Sequence, residues 1–81
     1  MKIRKANVLD DRTVSNVYIY ENKKEEYTVV AVPDIEWSFL VYYEEETETL
    51  KKRLHQSLAK LIATESVELL SNKILYWVRE M

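Results

Sequence analysis

The chain contains no glycine at all. Glycine supplies positive backbone angles and lets a backbone approach phosphate closely, so Walker-type loops and dinucleotide-binding fingerprints are excluded, and other residues must make the tight turns. Cysteine is absent as well. That removes disulfides, thiolate nucleophiles and thiolate metal ligands, and it fits a reducing compartment, so the expected location is the cytoplasm. There is one histidine, His55, and it cannot by itself assemble a zinc site, which needs three or four converging ligands. No apolar run reaches the length of a membrane span, and the basic start MKIRKANVL is not followed by a signal-peptide core, so no membrane association is expected. Bases are missing between residues 33 and 49, which carry six acids, whereas the stretches on either side are mildly basic.

What remains is a chain of 81 residues with 47% hydrophobic content. This supports one small core and therefore a single domain over residues 1–81. The most apolar stretch is YTVVAVPDIEWSFLVYY, residues 27–43, which holds the only proline. It reads as two strands broken at Pro33-Asp34, because proline removes a ladder donor. In the second of these strands, Ile35, Trp37, Phe39, Val41 and Tyr43 alternate with Glu36, Ser38, Leu40 and Tyr42, which assigns the first set to the core.

Upstream, residues 2–9 and Val14–Tyr20 read as two further strands. Between them lie the turn-compatible residues Asp10-Asp11-Arg12. Val17 and Ile19 fall on one face, opposite Asn16, Tyr18 and Tyr20. Glu21-Asn22-Lys23-Lys24 forms a polar hairpin loop in which Asn22 is the expected left-handed residue, and a strand of about Glu25–Val32 follows.

Glu44-Glu45-Glu46-Thr47-Glu48 marks a change to helix, with Thr47 as the expected N-cap and carboxylates placed favourably for the helix dipole. Leu50, Leu54, Leu58, Leu61 and Ile62 form its apolar stripe, and the phase breaks near Thr64–Ser66. A second helix is expected from a Ser66 cap through Val67, Leu70, Ile74, Trp77 and Met81. The β-forming run Ile74–Arg79 leaves a fifth strand, after a Ser71-Asn72 stop, as the alternative. The expected fold class is α+β: an antiparallel β-meander of three to four strands followed by two C-terminal helices packed on one sheet face.

Little in the sequence converges on catalysis. His55 faces Lys51 and Ala59 at helical spacing, and no nucleophile elbow accompanies Ser57, His55 and Asp34. The carboxylates Glu44, Glu45, Glu46 and Glu48 lack a calcium-loop pattern and read as a solvated helix start. The expectation is therefore a protein that is not an enzyme, with no catalytic residues, no metal and no cofactor. The function left is a small protein-interaction or regulatory module that binds a protein partner or itself, with Tyr18, Tyr20, Lys23, Lys24 and Trp77 as candidate contact residues. The alternative is weak binding of RNA or single-stranded nucleic acid through Lys2, Arg4, Lys5, Lys23 and Lys24 beside Tyr18 and Tyr20, against which the acidic balance weighs.

The run NVYIYENKKEEYTVVAVPDIEWS, followed by a leucine-rich helix and a short helix ending ILYWVREM, resembles the YueH-like family of small bacterial proteins. The resemblance spans nearly the whole chain. It implies a cytoplasmic bacterial protein and carries no catalytic residues across. The order strand, VPDIE, strand, helix also looks like the antitoxin half of HicB-type pairs, whose usual loop glycines are missing here.

Overall fold

Strand-forming residues alternate through the first half of the chain and helix-forming leucines take over after the acidic run. The computed structural model, which describes residues 2–10 and 13–80, follows that division. It separates into two compact units, Met1–Glu44 and Glu45–Met81.

The first unit is a four-stranded antiparallel sheet made of β1 (Lys2–Asp10), β2 (Thr13–Asn22), β3 (Tyr27–Val32) and β4 (Trp37–Tyr42), in the spatial order β1-β2-β3-β4. Each strand pairs with its neighbour in sequence, as expected of a meander. Opposed residues share a face in antiparallel pairs, so the register fixes the composition of both sides. One side carries Ser15, Val17 and Ile19 of β2, Thr28, Val30 and Val32 of β3, and Trp37 and Val41 of β4, all buried. Phe39, on the same side, stacks on Trp37 with ring centroids 5.5 Å apart. The alternation read from the sequence thus places Trp37 and Val41 as expected.

Several local expectations are corrected. Ile35 does not extend the last strand, because Pro33–Ile35 form a single 3₁₀ turn closed by the Glu36 N–H donating to the Pro33 carbonyl. Asn22 is not the left-handed residue of the β2–β3 hairpin. It ends β2, and its Oδ1 accepts the Glu25 N–H at 3.0 Å. The positive φ falls instead on Glu26 (59°), and a second one on Glu36 (51°). In a chain without glycine, these two glutamates take the cost of left-handed backbone, about 1–2 kcal/mol for a residue with a Cβ. Tyr43, assigned to the core by alternation, lies just past β4 and is 38% exposed. Of the expected turn Asp10-Asp11-Arg12, Asp10 instead ends β1 opposite Thr13, and Asp11 and Arg12 lie outside the described residues.

The second unit is a pair of helices, α1 (Thr47–Leu58) and α2 (Thr64–Glu80), packed against each other. Leu50, Leu54 and Leu58 of α1 and Val67, Leu70 and Ile74 of α2 are buried at the four- and three-residue spacings that keep them on one side of each helix. The boundaries differ from the sequence reading. Glu46, not Thr47, is the N-cap, without a side-chain cap bond, and α2 starts at Thr64 rather than after Ser66. Leu61 and Ile62 follow the end of α1, where both their N–H groups donate to the Leu58 carbonyl, and Leu61 is 50% exposed. The Ile74–Arg79 run is helical, as expected, and Ser71, which the alternative fifth strand required as a stop, is fully buried within α2. Met81 lies outside the described residues. Glu45 holds the two helix ends together: its carboxylate accepts from Arg53 of α1, and its carbonyl accepts from Arg79 of α2.

Candidate interaction surface

The residues that alternate with the buried set build the second side of the sheet. Reading the register across the strands gives three rows: Ile3, Tyr18, Ala31 and Ser38; Tyr20, Val29 and Leu40; and Asn22, Tyr27 and Tyr42. A partial fourth row pairs Lys5 with Asn16. Each row exists because β-branched and aromatic side chains at every second position stand on the same side of the pleat. Ile3, Tyr20 and Tyr42 are 56%, 43% and 50% exposed, while Tyr18, Tyr27, Val29 and Leu40 are half-buried among their neighbours.

Polar contacts on this surface are few and orient the rings. Lys5 Nζ donates to Asn16 Oδ1 at 3.1 Å, and Asn16 Nδ2 lies 3.5 Å from the Tyr18 hydroxyl. Asn22 Nδ2 donates to the Tyr27 hydroxyl at 3.2 Å. Lys5 is the single formal charge in the four rows. The surface is therefore aliphatic and phenolic, with one cation at its margin.

The candidate residues read from the sequence are partly brought together. Tyr18 and Tyr20 share the surface, whereas Lys23 and Lys24 sit exposed in the β2–β3 turn. Trp77 is half-buried on α2 and belongs to the second unit. Lys2 and Arg4 oppose Ile19 and Val17, so they lie on the side away from Tyr18 and Tyr20. Sequence reasoning missed Val29, Leu40 and Tyr27 as members of the surface. The missing information was register, which sets who stands beside whom across strands.

Elsewhere, a shallow groove of about 480 Å³ runs along α1, lined by Glu48, Lys51, Lys52, His55 and Gln56. Two of its side chains face Glu68 of α2, which lies 3.9 Å from Lys51 Nζ and 3.5 Å from His55 Nε2. His55 therefore faces a carboxylate. Among the described residues, no three His, Asp or Glu side chains converge as a metal site. Among the described residues a perturbed acid–base group is Tyr43, whose hydroxyl is pushed up to about 12 because it donates to the Glu21 carboxylate. Desolvation and the negative charges of Glu21 and Glu26 act in the same direction. No helix among the described residues is long and apolar enough to cross a membrane.

Comparison with known proteins gives a consistent result. A family model, that of the YueH-like proteins, matches residues 2–80. The uncharacterized protein YueH of Bacillus subtilis (strain 168) is 45% identical over 82 aligned residues, covering all of both chains. No solved structure matches.

Proposed function

This chain belongs to the YueH-like protein family, and we propose that it acts as a small interaction module whose working surface is the tyrosine-bearing side of the sheet. The observation that supports this reading is the composition of that side. Tyr18, Tyr20, Tyr27 and Tyr42 stand in register with Ile3, Val29 and Leu40, and Lys5 is the only charge among them. A contiguous apolar surface that carries several tyrosines and excludes charge from its centre has the makeup of a protein contact: tyrosine buries area at low entropic cost, and a charge at the centre would need desolvating. The separation of Lys2 and Arg4 from the tyrosines favours a protein partner over nucleic acid, since a strand of RNA needs cations and stacking rings along one track. A cytoplasmic setting goes with this reading.

A photoreactive residue placed at Tyr20 tests it in living cells. The expected result is a discrete adduct of defined mass, absent when the same residue is placed at Tyr76 on α2, and abolished by Val29→Glu in the same chain. Indiscriminate labelling at both positions, or an adduct indifferent to Val29→Glu, would overturn the proposal.

A further inference from the structure

The two outer strands of the sheet end it differently. β1 carries Lys2, Arg4 and Lys5, and its pairing with β2 shifts register between Ala6 and Asp10. Charged edge residues and irregular pairing are the devices by which sheets prevent further strand addition. β4, Trp-Ser-Phe-Leu-Val-Tyr from Trp37 to Tyr42, has neither: it contains no charge, no proline and no shift of register against β3.

The hydrogen-bond phase shows which backbone groups of β4 are unused. The Tyr43 N–H donates to the Glu26 carbonyl at 3.1 Å, which makes Glu26 and Tyr43 a bonded pair. Bonded and non-bonded pairs alternate along an antiparallel ladder, so Val41, Phe39 and Trp37 bond to β3 opposite Thr28, Val30 and Val32. Ser38, Leu40 and Tyr42 then point their N–H and C=O groups away from β3, toward the open edge. We propose that this edge pairs with β4 of a second copy, antiparallel about a twofold axis at Leu40, to make a continuous eight-stranded sheet.

The register follows from counting. With Leu40 opposite Leu40 of the second copy, Ser38 meets Tyr42 and Tyr42 meets Ser38, and all three outward residues of both chains exchange N–H···O bonds. Sliding by one pleat in either direction leaves an outward residue unmatched. Opposed side chains share a face, so Leu40 packs on Leu40 and the tyrosine surfaces of the two copies merge. The centre brings no charges together. Like charge enters only at the rim, where Glu36 of one chain faces Glu44 of the other, both exposed. The contact is therefore closed rather than extendable, and salt tightens it by screening those carboxylates.

This deepens the interaction reading, on which it rests, by naming one partner and the edge it takes. Sedimentation of the wild-type chain tests it: the expected result is a dimer of the 9.7 kDa chain that strengthens with salt. Leu40→Lys and Leu40→Glu, each alone, weaken it by roughly tenfold or more, since each loses an apolar pair and opposes like charges. Mixing the two restores a one-to-one dimer. Hydrogen exchange on the wild-type chain needs no substitution: the amides of Ser38, Leu40 and Tyr42 slow with rising protein concentration while exposed turn amides such as Lys24 do not. A wild-type monomer at all concentrations, a dimer unaffected by Leu40→Lys, no recovery on mixing, or concentration-independent exchange at these amides would each overturn the pairing. A monomer that still gives the Tyr20 adduct overturns only the pairing; a dimer without that adduct overturns only the surface reading.

Discussion

Adjacent residues of one strand separate two kinds of chemistry in this sheet. Ile19 and Val30 have no exposed surface, whereas Tyr20 and Val29, each one position away, belong to the open side. The two sides use the same strand-forming residue types, and what distinguishes them is size and polarity at the tip. Aliphatic side chains stand on both sides, but Tyr18, Tyr20, Tyr27 and Tyr42 all stand on the open one, whereas the closed side carries Trp37 and Phe39. β-propensity therefore explains why both sides form strands, while only the tip chemistry reports which side is available for contact.

The sharpest test of that contrast is a charge placed on either side. Val30→Asp buries an unpaired carboxylate and is expected to leave the chain unfolded at room temperature, whereas Val29→Asp folds and loses the partner contact; circular dichroism and urea unfolding separate the two. A milder version compares Ile19→Ala with Tyr20→Ala. The first is expected to cost about 2–5 kcal/mol in urea unfolding and the second less than about 1 kcal/mol. Glu36→Gly probes what holds the alternation in phase, because Glu36 sets the turn into β4 with a left-handed backbone. It is expected to raise stability by about 0.5–1 kcal/mol, the relief of the Cβ clash exceeding the added freedom of the unfolded chain.

The smallest expected effect concerns Tyr43, which continues the buried alternation yet is exposed. Its hydroxyl ionises at about 12 in the folded protein against 10.0 ordinarily. Because the folded value is the higher one, the contribution of the Tyr43–Glu21 bond is fully present below pH 10 and is lost as pH rises through about 12. Ultraviolet titration of phenolate is expected to show one late tyrosine, and Glu21→Ala returns it to the ordinary range.

Much of this architecture is legible in the residues. The alternation from Val17 to Tyr20 and the break at Pro33 locate strands and faces, and the four-residue spacing of Leu50, Leu54 and Leu58 locates α1. Turn conformation is harder to read when glycine is missing. Asn22 has the higher intrinsic tendency toward left-handed backbone, but its side chain is used as the acceptor for Glu25, and the positive φ moves to Glu26. The end of α1 is hidden because Leu61 and Ile62 prolong an apolar pattern into a turn, where periodicity cannot separate a helical residue from one that follows a helix. The interaction surface depends on pairing between strands. Nothing local says that Lys5 stands with the tyrosines while Lys2 and Arg4 stand behind them.

The order β1-β2-β3-β4 also bears on how the chain reaches this structure. Every strand bonds to the one made just before or after it, so the loops closed during folding are short and their entropic cost is low. As the chain leaves the ribosome, each new strand finds its partner already in place. β4 completes the sheet before the helices exist, so its uncharged edge is available to a neighbouring nascent chain from that moment onward.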